Sequence, residues 1–257
     1  MTQPLEQRIS YHPSLGTQAG RGRGLRRVGK RLEAILQRVD VRSKTVLDLG
    51  CSGGYFCFRL SSMAARVVGI DGDLAVIERN REIVRRERYK NVSFEHGIIS
   101  PEFLVTLPKF DVTLFLSVFH HMLAASDAYD WNPIAAQDHA LATMAAIRSC
   151  SKVLVFEMGY PHEGYEWCER LPIMTPTPDD WIRRNVFGPE FPQIEVVRAP
   201  ANQGMWGSLR RIGSHYTNGK RGVFARALRR ALVIDYRDSR DIYIGRESGN
   251  KDGLDQQ

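Results

Sequence analysis

The chain has 257 residues, of which 43% are hydrophobic and 25% charged, a composition typical of a globular protein with one large domain or a core domain carrying an insertion. No apolar run approaches the roughly 18 residues that span a bilayer, and the N-terminus MTQPLEQRIS lacks the apolar core of a signal peptide. The four cysteines form no C-x-x-C pair. We therefore expect buried thiols in a reducing compartment, which predicts a cytoplasmic protein.

Two segments carry unbalanced positive charge in a chain whose formal net charge is +7. Residues 7–31 contain seven Arg or Lys and no acid, and residues 196–234 contain eight and again no acid. Such segments are either solvated faces or surfaces for an anionic partner, and the sequence leaves both interpretations open.

Apolar periodicity predicts an amphipathic helix over residues 25–39, after a lead rich in glycine and arginine. Short apolar runs then alternate with helical patterns. Strands are predicted at 45–50, 66–71, 91–96, 110–117, 152–158, 193–198 and 240–246. Helices are predicted at 53–65, 73–88, 137–149 and 176–187, the last with Thr177 as its N-cap. This alternation is typical of a doubly wound α/β domain with a parallel sheet.

The order of these elements predicts three parts. A basic lead and amphipathic helix occupy residues 1–43, and the α/β domain occupies residues 44–246. A basic, glycine-rich insertion at residues 199–239 lies before the last strand. The polar tail, residues 247–257, is expected to be disordered.

The run TVLDLGCSGGYF at residues 45–56 places a glycine turn directly after the first strand. Ligands of doubly wound sheets bind at the carboxyl ends of the strands, and Gly50, Gly53 and Gly54 let the backbone approach one closely. The turn lacks Gly-Lys-Ser/Thr, so it is not a phosphate-binding loop. Ser52 and Tyr55 stand where G-x-G-x-x-G requires glycine, which disfavours a nicotinamide cofactor.

Two acids flank this turn. Asp48 precedes it, where a carboxylate can face a cationic group. Asp71 ends the second strand, where a carboxylate can accept hydrogen bonds from both hydroxyls of a ribose. S-adenosylmethionine, a nucleoside that carries a positive charge and no phosphate, suits both features. We expect Asp73 to cap the following helix.

The motifs VLDLGCSGGYF, VVGIDGD and FDVTLFLSVFHHM resemble the three successive cofactor motifs of class I S-adenosylmethionine-dependent methyltransferases, over roughly residues 44–160. The resemblance implies a seven-stranded, mostly parallel, Rossmann-like sheet that binds S-adenosyl-L-methionine. It implies that Asp48 and the glycine turn surround the methionine part, that Asp71 binds the ribose and that the loop after the third strand flanks adenine. The cofactor-binding residues that we predict are Asp48, Gly50, Cys51, Ser52, Gly54, Asp71, Gly72, Ile98 and Ser117.

This sequence departs from the family pattern at two positions. Ser52 replaces the middle glycine of the turn, where a small residue costs little. Ile98 stands where many members have an acid that accepts from the adenine amino group. We expect backbone groups or Ser100 to serve there instead.

Methyl transfer to a hydroxyl requires alignment of the acceptor with the methyl group and removal of a proton. His120 and His121 follow the fourth strand and are the leading candidates for the base. Glu157, at the end of the fifth strand, is a second candidate base or an orienting group. The loop at residues 124–139, with Tyr129 and Trp131, is expected to cover the acceptor. No Asp/Asn/His set has the spacing of a divalent-metal site, so we expect a metal-independent enzyme.

The acceptor is predicted only by class. We expect O-methylation of a small-molecule or glycan acceptor, with an anionic acceptor matching the basic insertion. One alternative is an RNA methyltransferase in which both basic segments contact phosphates. Another is a non-catalytic, cofactor-binding protein that contacts a membrane peripherally through the cationic helix predicted at residues 223–234. No Asn-Pro-Pro-Tyr-like motif for amino acceptors is present, so DNA is not an expected partner.

Overall fold

The computed structural model describes residues 28–119, 133–158, 178–198 and 241–248. They form a seven-stranded sheet covered by helices, which confirms the predicted doubly wound α/β fold. The strands are β1 (Thr45–Leu49), β2 (Arg66–Asp71), β3 (Val92–His96), β4 (Phe110–Leu116), β5 (Ser151–Glu157), β6 (Gln193–Val197) and β7 (Ile242–Arg246).

The strand order is β3-β2-β1-β4-β5-β7-β6, so the chain reverses its direction of winding between β1 and β4. Neighbouring strands from β3 to β5 pair in parallel. β7 is antiparallel to both β5 and β6, so β6 runs in the same direction as β5. The carboxyl ends of six strands therefore lie at one edge of the sheet, which we call the carboxyl edge.

The described helices are α1 (residues 28–36), α2 (Tyr55–Leu60), α3 (Leu74–Glu87), α4 (Pro101–Leu104), α5 (Pro133–Ser149) and α6 (Pro178–Trp181), the last continued by a π-helical turn at Ile182–Phe187. α2 is shorter than predicted because Asn91 Nδ2 donates to the carbonyl oxygens of Ser61 and Ala64, at 2.8 and 2.9 Å, where the chain leaves the helix. α4 was not predicted, and α5 begins four residues earlier than expected. Thr177 lies outside the described residues.

Apolar side chains form a core on each face of the sheet. One face packs against α1, α2 and α3, and the apolar stripe of α1 contributes Val28, Leu32 and Ile35, as the periodicity predicted. The other face packs against α4, α5, α6 and the π-helical turn. Alternate residues of β1 point to opposite faces, with Val46 in the first core and Leu47 in the second.

The segments between the described parts of the chain begin at the carboxyl edge. Residues 120–132 follow β4, residues 159–177 follow β5, and residues 199–240 connect the end of β6 to the start of β7. The guanidinium of Arg198 lies 2.6 Å from Asp241, so an ion pair joins the described residues on either side of residues 199–240. Among the helices that the structure describes, none has the length and apolarity to cross a bilayer.

Candidate active site

The glycine turn between β1 and α2 lies at the carboxyl edge, and two of its glycines have left-handed backbone conformations. Gly50 has φ +72° and Gly54 has φ +74°. A β-carbon at Gly50 would lie 2.3 Å from Val118 Cγ2, and one at Gly54 would lie 2.7 Å from Phe58 Cε2. Both positions therefore require glycine, because the backbone conformation and the neighbouring side chains leave no room for a β-carbon.

Ser52 also has a positive φ, of +45°, and hydrogen bonds on both sides hold it there. Its N–H donates to Asp71 Oδ2 at 2.8 Å, and its carbonyl accepts from Asn80 Nδ2 at 2.7 Å. The N–H of Cys51 donates to the carbonyl of Ile70 at 3.0 Å. The turn is thus attached to the end of β2, which allows a serine in a conformation that favours glycine.

Asp48 is a buried acid beneath the turn, with 3% of its surface exposed. Burial raises the pKa of Asp48 to about 7, and the hydrogen bond from the Cys57 thiol, 3.3 Å from Oδ2, opposes this shift only in part. Burial likewise raises the pKa of Cys57, so that thiol stays protonated. A cation bound at the turn would favour the charged form of Asp48.

Asp71, at the end of β2, is half-buried and organises the neighbouring loops. Its Oδ1 accepts from the N–H of Asp73 at 3.0 Å, and its Oδ2 accepts from Ser52. Each carboxylate oxygen can accept a second hydrogen bond, so Asp71 can also accept from a ligand hydroxyl. Asp73 caps α3 by accepting from the N–H groups of Ala75 and Val76, at 2.9 and 3.2 Å, which confirms the predicted cap.

The loops after β2 and β3 contact each other beside Asp71. His96 Nε2 lies 3.1 Å from the carbonyl of Gly72, the exposed glycine that follows Asp71. Ile98 follows these contacts with 75% of its surface exposed, and Leu74, which the sequence reasoning missed, is 52% exposed at the start of α3. The signal available in the sequence was the position of Leu74, directly after the predicted cap Asp73 and three residues from Asp71.

Ser100 has a structural partner in this region. Its hydroxyl accepts from the N–H of Phe103 at 3.3 Å and caps α4.

A cluster of three polar side chains surrounds the buried Glu157 where β4 and β5 end; its other members, Ser117 and Arg31, are partly buried. Glu157 is fully buried, and its Oε1 accepts from the Ser117 hydroxyl at 2.5 Å. The guanidinium of Arg31, on α1, lies 2.8 Å from Glu157 Oε2 and 3.3 Å from the Ser117 hydroxyl oxygen. Sequence reasoning missed Arg31, because nothing local in the sequence pairs it with Glu157.

The histidines predicted as bases, His120 and His121, lie outside the described residues, as do Tyr129 and Trp131. Phe119, immediately before His120, is fully buried and packs against Phe156 and Trp181. The chain therefore enters the histidine pair from a fixed point at the carboxyl edge.

The described site fits a cationic nucleoside. It combines the partly exposed backbone of Gly50 with the carboxyl groups of Asp48 and Asp71, which can face the positive charge and the ribose hydroxyls of such a ligand. Within residues 28–119, 133–158, 178–198 and 241–248, no group of three or more His, Cys, Asp or Glu could hold a metal ion. Cys51, Cys57 and Cys150 are buried, unlinked thiols.

Comparison with known proteins points to the same chemistry. The profile of a methyltransferase domain family matches residues 40–168. The Escherichia coli protein WbdD, an O-antigen chain terminator bifunctional methyltransferase/kinase, is 26% identical over 180 residues, which are 65% of this chain and 24% of WbdD. A crystal structure of WbdD superposes with a TM-score of 0.60 at 19% identity, covering 95% of this chain and 47% of that chain.

A shorter match links the chain to an RNA enzyme. The 23S rRNA (uracil(1939)-C(5))-methyltransferase RlmD of Pectobacterium atrosepticum is 44% identical over 59 residues, which are 23% of this chain and 13% of RlmD. The chain thus spans about a quarter or less of these curated relatives.

The family match covers half of the chain and includes the glycine turn, both acids and the ends of β4 and β5. The sheet order and the site geometry agree with it. Members of this family use S-adenosyl-L-methionine as their methyl donor. The chain belongs to the class I S-adenosylmethionine-dependent methyltransferases.

Proposed function

We propose that this protein transfers a methyl group from S-adenosylmethionine to a hydroxyl oxygen of a saccharide-like acceptor, without a metal ion. The observation that carries the proposal is the position of Asp48 and Asp71 on either side of the Gly50 turn, at the ends of the paired strands β1 and β2. When bound, S-adenosylmethionine supplies an electrophilic methyl group on a sulfonium.

The residues that would hold the cofactor contact three different parts of it: the methionine part, the ribose and the adenine. Asp48 and the backbone of the glycine turn would face the cationic methionine part, and Asp71 would accept from the ribose hydroxyls. Leu74 and Ile98 are exposed apolar side chains that follow the contacting residues Gly72 and His96, and they would pack on the adenine ring.

Catalysis requires a base that reaches the acceptor hydroxyl. We assign this role to His120 or His121, because Phe119 fixes the chain before them at the carboxyl edge. General-base removal commonly costs about 10²–10⁴-fold in rate. Replacing both histidines with alanine should therefore reduce turnover while cofactor affinity stays nearly unchanged. Full activity in this variant would contradict the assignment.

The acceptor side is supported by topology and by the relatives. Residues 120–132, 159–177 and 199–240 all begin at the carboxyl edge, where the acceptor must approach the methyl group. The name of WbdD describes termination of O-antigen chains, and its match extends over 65% of this chain, compared with 23% for RlmD. This difference in coverage favours a saccharide-like acceptor.

The experiment that tests this proposal uses S-adenosylmethionine labelled in its methyl group and a cell extract separated into RNA, glycan, lipid and small-molecule fractions. We expect label in the glycan or small-molecule fraction. Label in RNA, together with a steep loss of binding as salt rises, would instead identify an RNA methyltransferase.

The basic insertion provides a second arm of this test. We propose replacing four basic residues with serine: Arg210, Arg211, Lys220 and Arg221. This variant should have a Michaelis constant for an anionic acceptor that is higher by about tenfold or more, since each charge-assisted contact contributes roughly 1–3 kcal/mol. Cofactor affinity should stay the same. Normal kinetics in this variant would mean that the charge is only a solvated face.

A further inference from the structure

We infer that Glu157 is a positioning residue for methyl transfer: it holds Ser117, and with it the chain that leaves β4, while Arg31 of α1 neutralises its charge. The inference rests on the proposed methyl transfer at the carboxyl edge. It selects the orienting role for Glu157 over the role of base, it adds Arg31 to the functional residues, and it gives Ser117, predicted from the sequence to bind the cofactor, a positioning role.

The burial of Glu157 explains why it needs Arg31. A fully buried carboxylate is strongly destabilising unless a cation and hydrogen bonds compensate it. The guanidinium of Arg31 lies 2.8 Å from Oε2, with its side chain 15% exposed, and the Ser117 hydroxyl donates to Oε1 at 2.5 Å. Both carboxylate oxygens thus contact neighbouring side chains, and the fully buried group presents no surface to an acceptor hydroxyl.

Ser117 is the residue on which Glu157 acts. Its φ of +60° is a left-handed conformation, which a residue with a β-carbon adopts only when its surroundings hold it there. The Ser117 N–H donates to the carbonyl of Glu157 at 2.9 Å, and the Ser117 hydroxyl donates to the Glu157 carboxylate. Glu157 therefore holds Ser117 at two points.

The backbone conformation of Ser117 sets the path of the next two residues. The side chain of Val118 fills the space beside Gly50 in the cofactor turn, and Phe119 is buried in the core. His120 comes next in the chain. A rotation at Ser117 would move the contact with the cofactor turn and the direction in which the chain enters the histidine pair.

Two double variants separate positioning from the other roles. Arg31→Met alone would leave a buried charge without its cation, so both charges are removed together. Arg31→Met/Glu157→Gln keeps an oxygen that accepts from Ser117, whereas Arg31→Met/Glu157→Leu has a side chain of similar size that accepts nothing. The two proteins thus differ in whether residue 157 can accept a hydrogen bond from Ser117.

The measured quantity is the turnover number with the extract fraction that accepts the labelled methyl group. It is calculated per binding site, counted by titration with S-adenosylhomocysteine. We expect the Gln variant to stay within about fivefold of wild type and the Leu variant to fall by roughly 10²-fold, because a small misplacement of reacting groups costs that much. The Gln variant should bind S-adenosylhomocysteine within about threefold of wild type, since Ser117 and the contact of Val118 with Gly50 are held as in wild type. The Gln variant should keep the pH–rate profile of wild type.

A matched control comes from the opposite edge of the same two strands. Lys152 on β5 pairs with Asp111 on β4 at 2.8 Å, and Lys152→Met should leave turnover unchanged. Equal loss of activity in the Gln and Leu variants would overturn the inference, because turnover would then not depend on the hydrogen bond between Ser117 and residue 157. Wild-type turnover in both double variants would mean that the ion pair between Arg31 and Glu157 stabilises the fold and has no role in methyl transfer. A wild-type protein that binds no S-adenosylhomocysteine would contradict the proposed function, and this inference with it.

Discussion

At the scale of single residues, the site contains groups in energetically unfavourable states: one buried carboxyl and two serines with left-handed backbone conformations. The carboxyl of Asp48 is buried, and its side-chain hydrogen bond comes from the weak thiol donor of Cys57. Ser52 and Ser117 have left-handed backbones, at φ +45° and +60°, which hydrogen bonds hold in place. Such local costs are common where a fold prepares a ligand site.

The raised pKa of Asp48 predicts a specific pH dependence of stability. Burial raises that pKa to about 7 in the folded chain. Between about pH 4 and pH 7, the folded protein therefore binds a proton at Asp48 that the unfolded chain has released. The contribution of Asp48 to stability is therefore present below its ordinary pKa, near 4, and is lost as the pH rises to about 7. Asp48→Asn removes this loss.

Urea unfolding at several pH values measures the effect. The stability of Asp48→Asn relative to wild type should increase between about pH 4 and pH 7, by an amount on the order of a few kcal/mol. A constant difference across this range would show that the folded Asp48 titrates normally.

Gly50 and Gly29 offer a matched pair for the glycine turn. Gly50→Ala places a β-carbon 2.3 Å from Val118 at a φ of +72°, whereas Gly29→Ala, on α1, meets only Tyr55 Oη at 3.5 Å. We expect Gly50→Ala to lower stability by about 1–3 kcal/mol and to weaken S-adenosylhomocysteine binding, because strain and overpacking act together. Gly29→Ala should do neither. Unfolding and titration of both proteins measure this, and equal behaviour would contradict the described turn.

At the scale of elements, the strands were predictable and several helix ends were not. The seven predicted strands are all present, because β-branched and aromatic runs separated by helical patterns mark them in the sequence. The early end of α2 depends on Asn91, 30 residues further along the chain, and so has no local signal. The π-helical turn Ile182–Phe187 likewise carries no periodicity distinct from an α-helix over so short a length.

The same distinction holds for the site. The glycine turn, Asp48 and Asp71 were predictable because their spacing is local and chemically specific. The ion pair between Arg31 and Glu157 was not, because it joins α1 to β5 across the sheet.

Packing of the π-helical turn on β7 gives a test at the element scale. A β-carbon at Gly245 would lie 2.3 Å from Phe187 Cδ1 and 3.2 Å from Phe191 Cβ. Gly245→Ala should therefore lower the free energy of unfolding by about 1–3 kcal/mol, as overpacking does. Adding Phe187→Leu should recover part of that loss, so the double-mutant cycle should show coupling. Independent, additive effects would mean that the ring does not contact Gly245.

At the scale of the whole molecule, ion pairs tie the N-terminal helix to the far side of the sheet. Arg38 Nε lies 2.8 Å from Glu195 on β6, and Arg246 on β7 donates to the carbonyl of Arg38 at 2.7 Å. α1 is thereby attached to the antiparallel strands as well as to Glu157. The chain that leaves α1 therefore contacts β6 and β7, the two strands between which the basic insertion lies in the sequence.

The central claim is that the glycine turn and its two acids bind S-adenosylmethionine. Isothermal titration of wild type and Asp71→Ala with S-adenosylhomocysteine tests it most directly. We predict one site in wild type, no binding of NAD, and a loss of about 1–3 kcal/mol in Asp71→Ala, since charge-assisted hydrogen bonds to the ribose are removed. Full affinity in Asp71→Ala, or no binding by the wild-type protein, would contradict the claim.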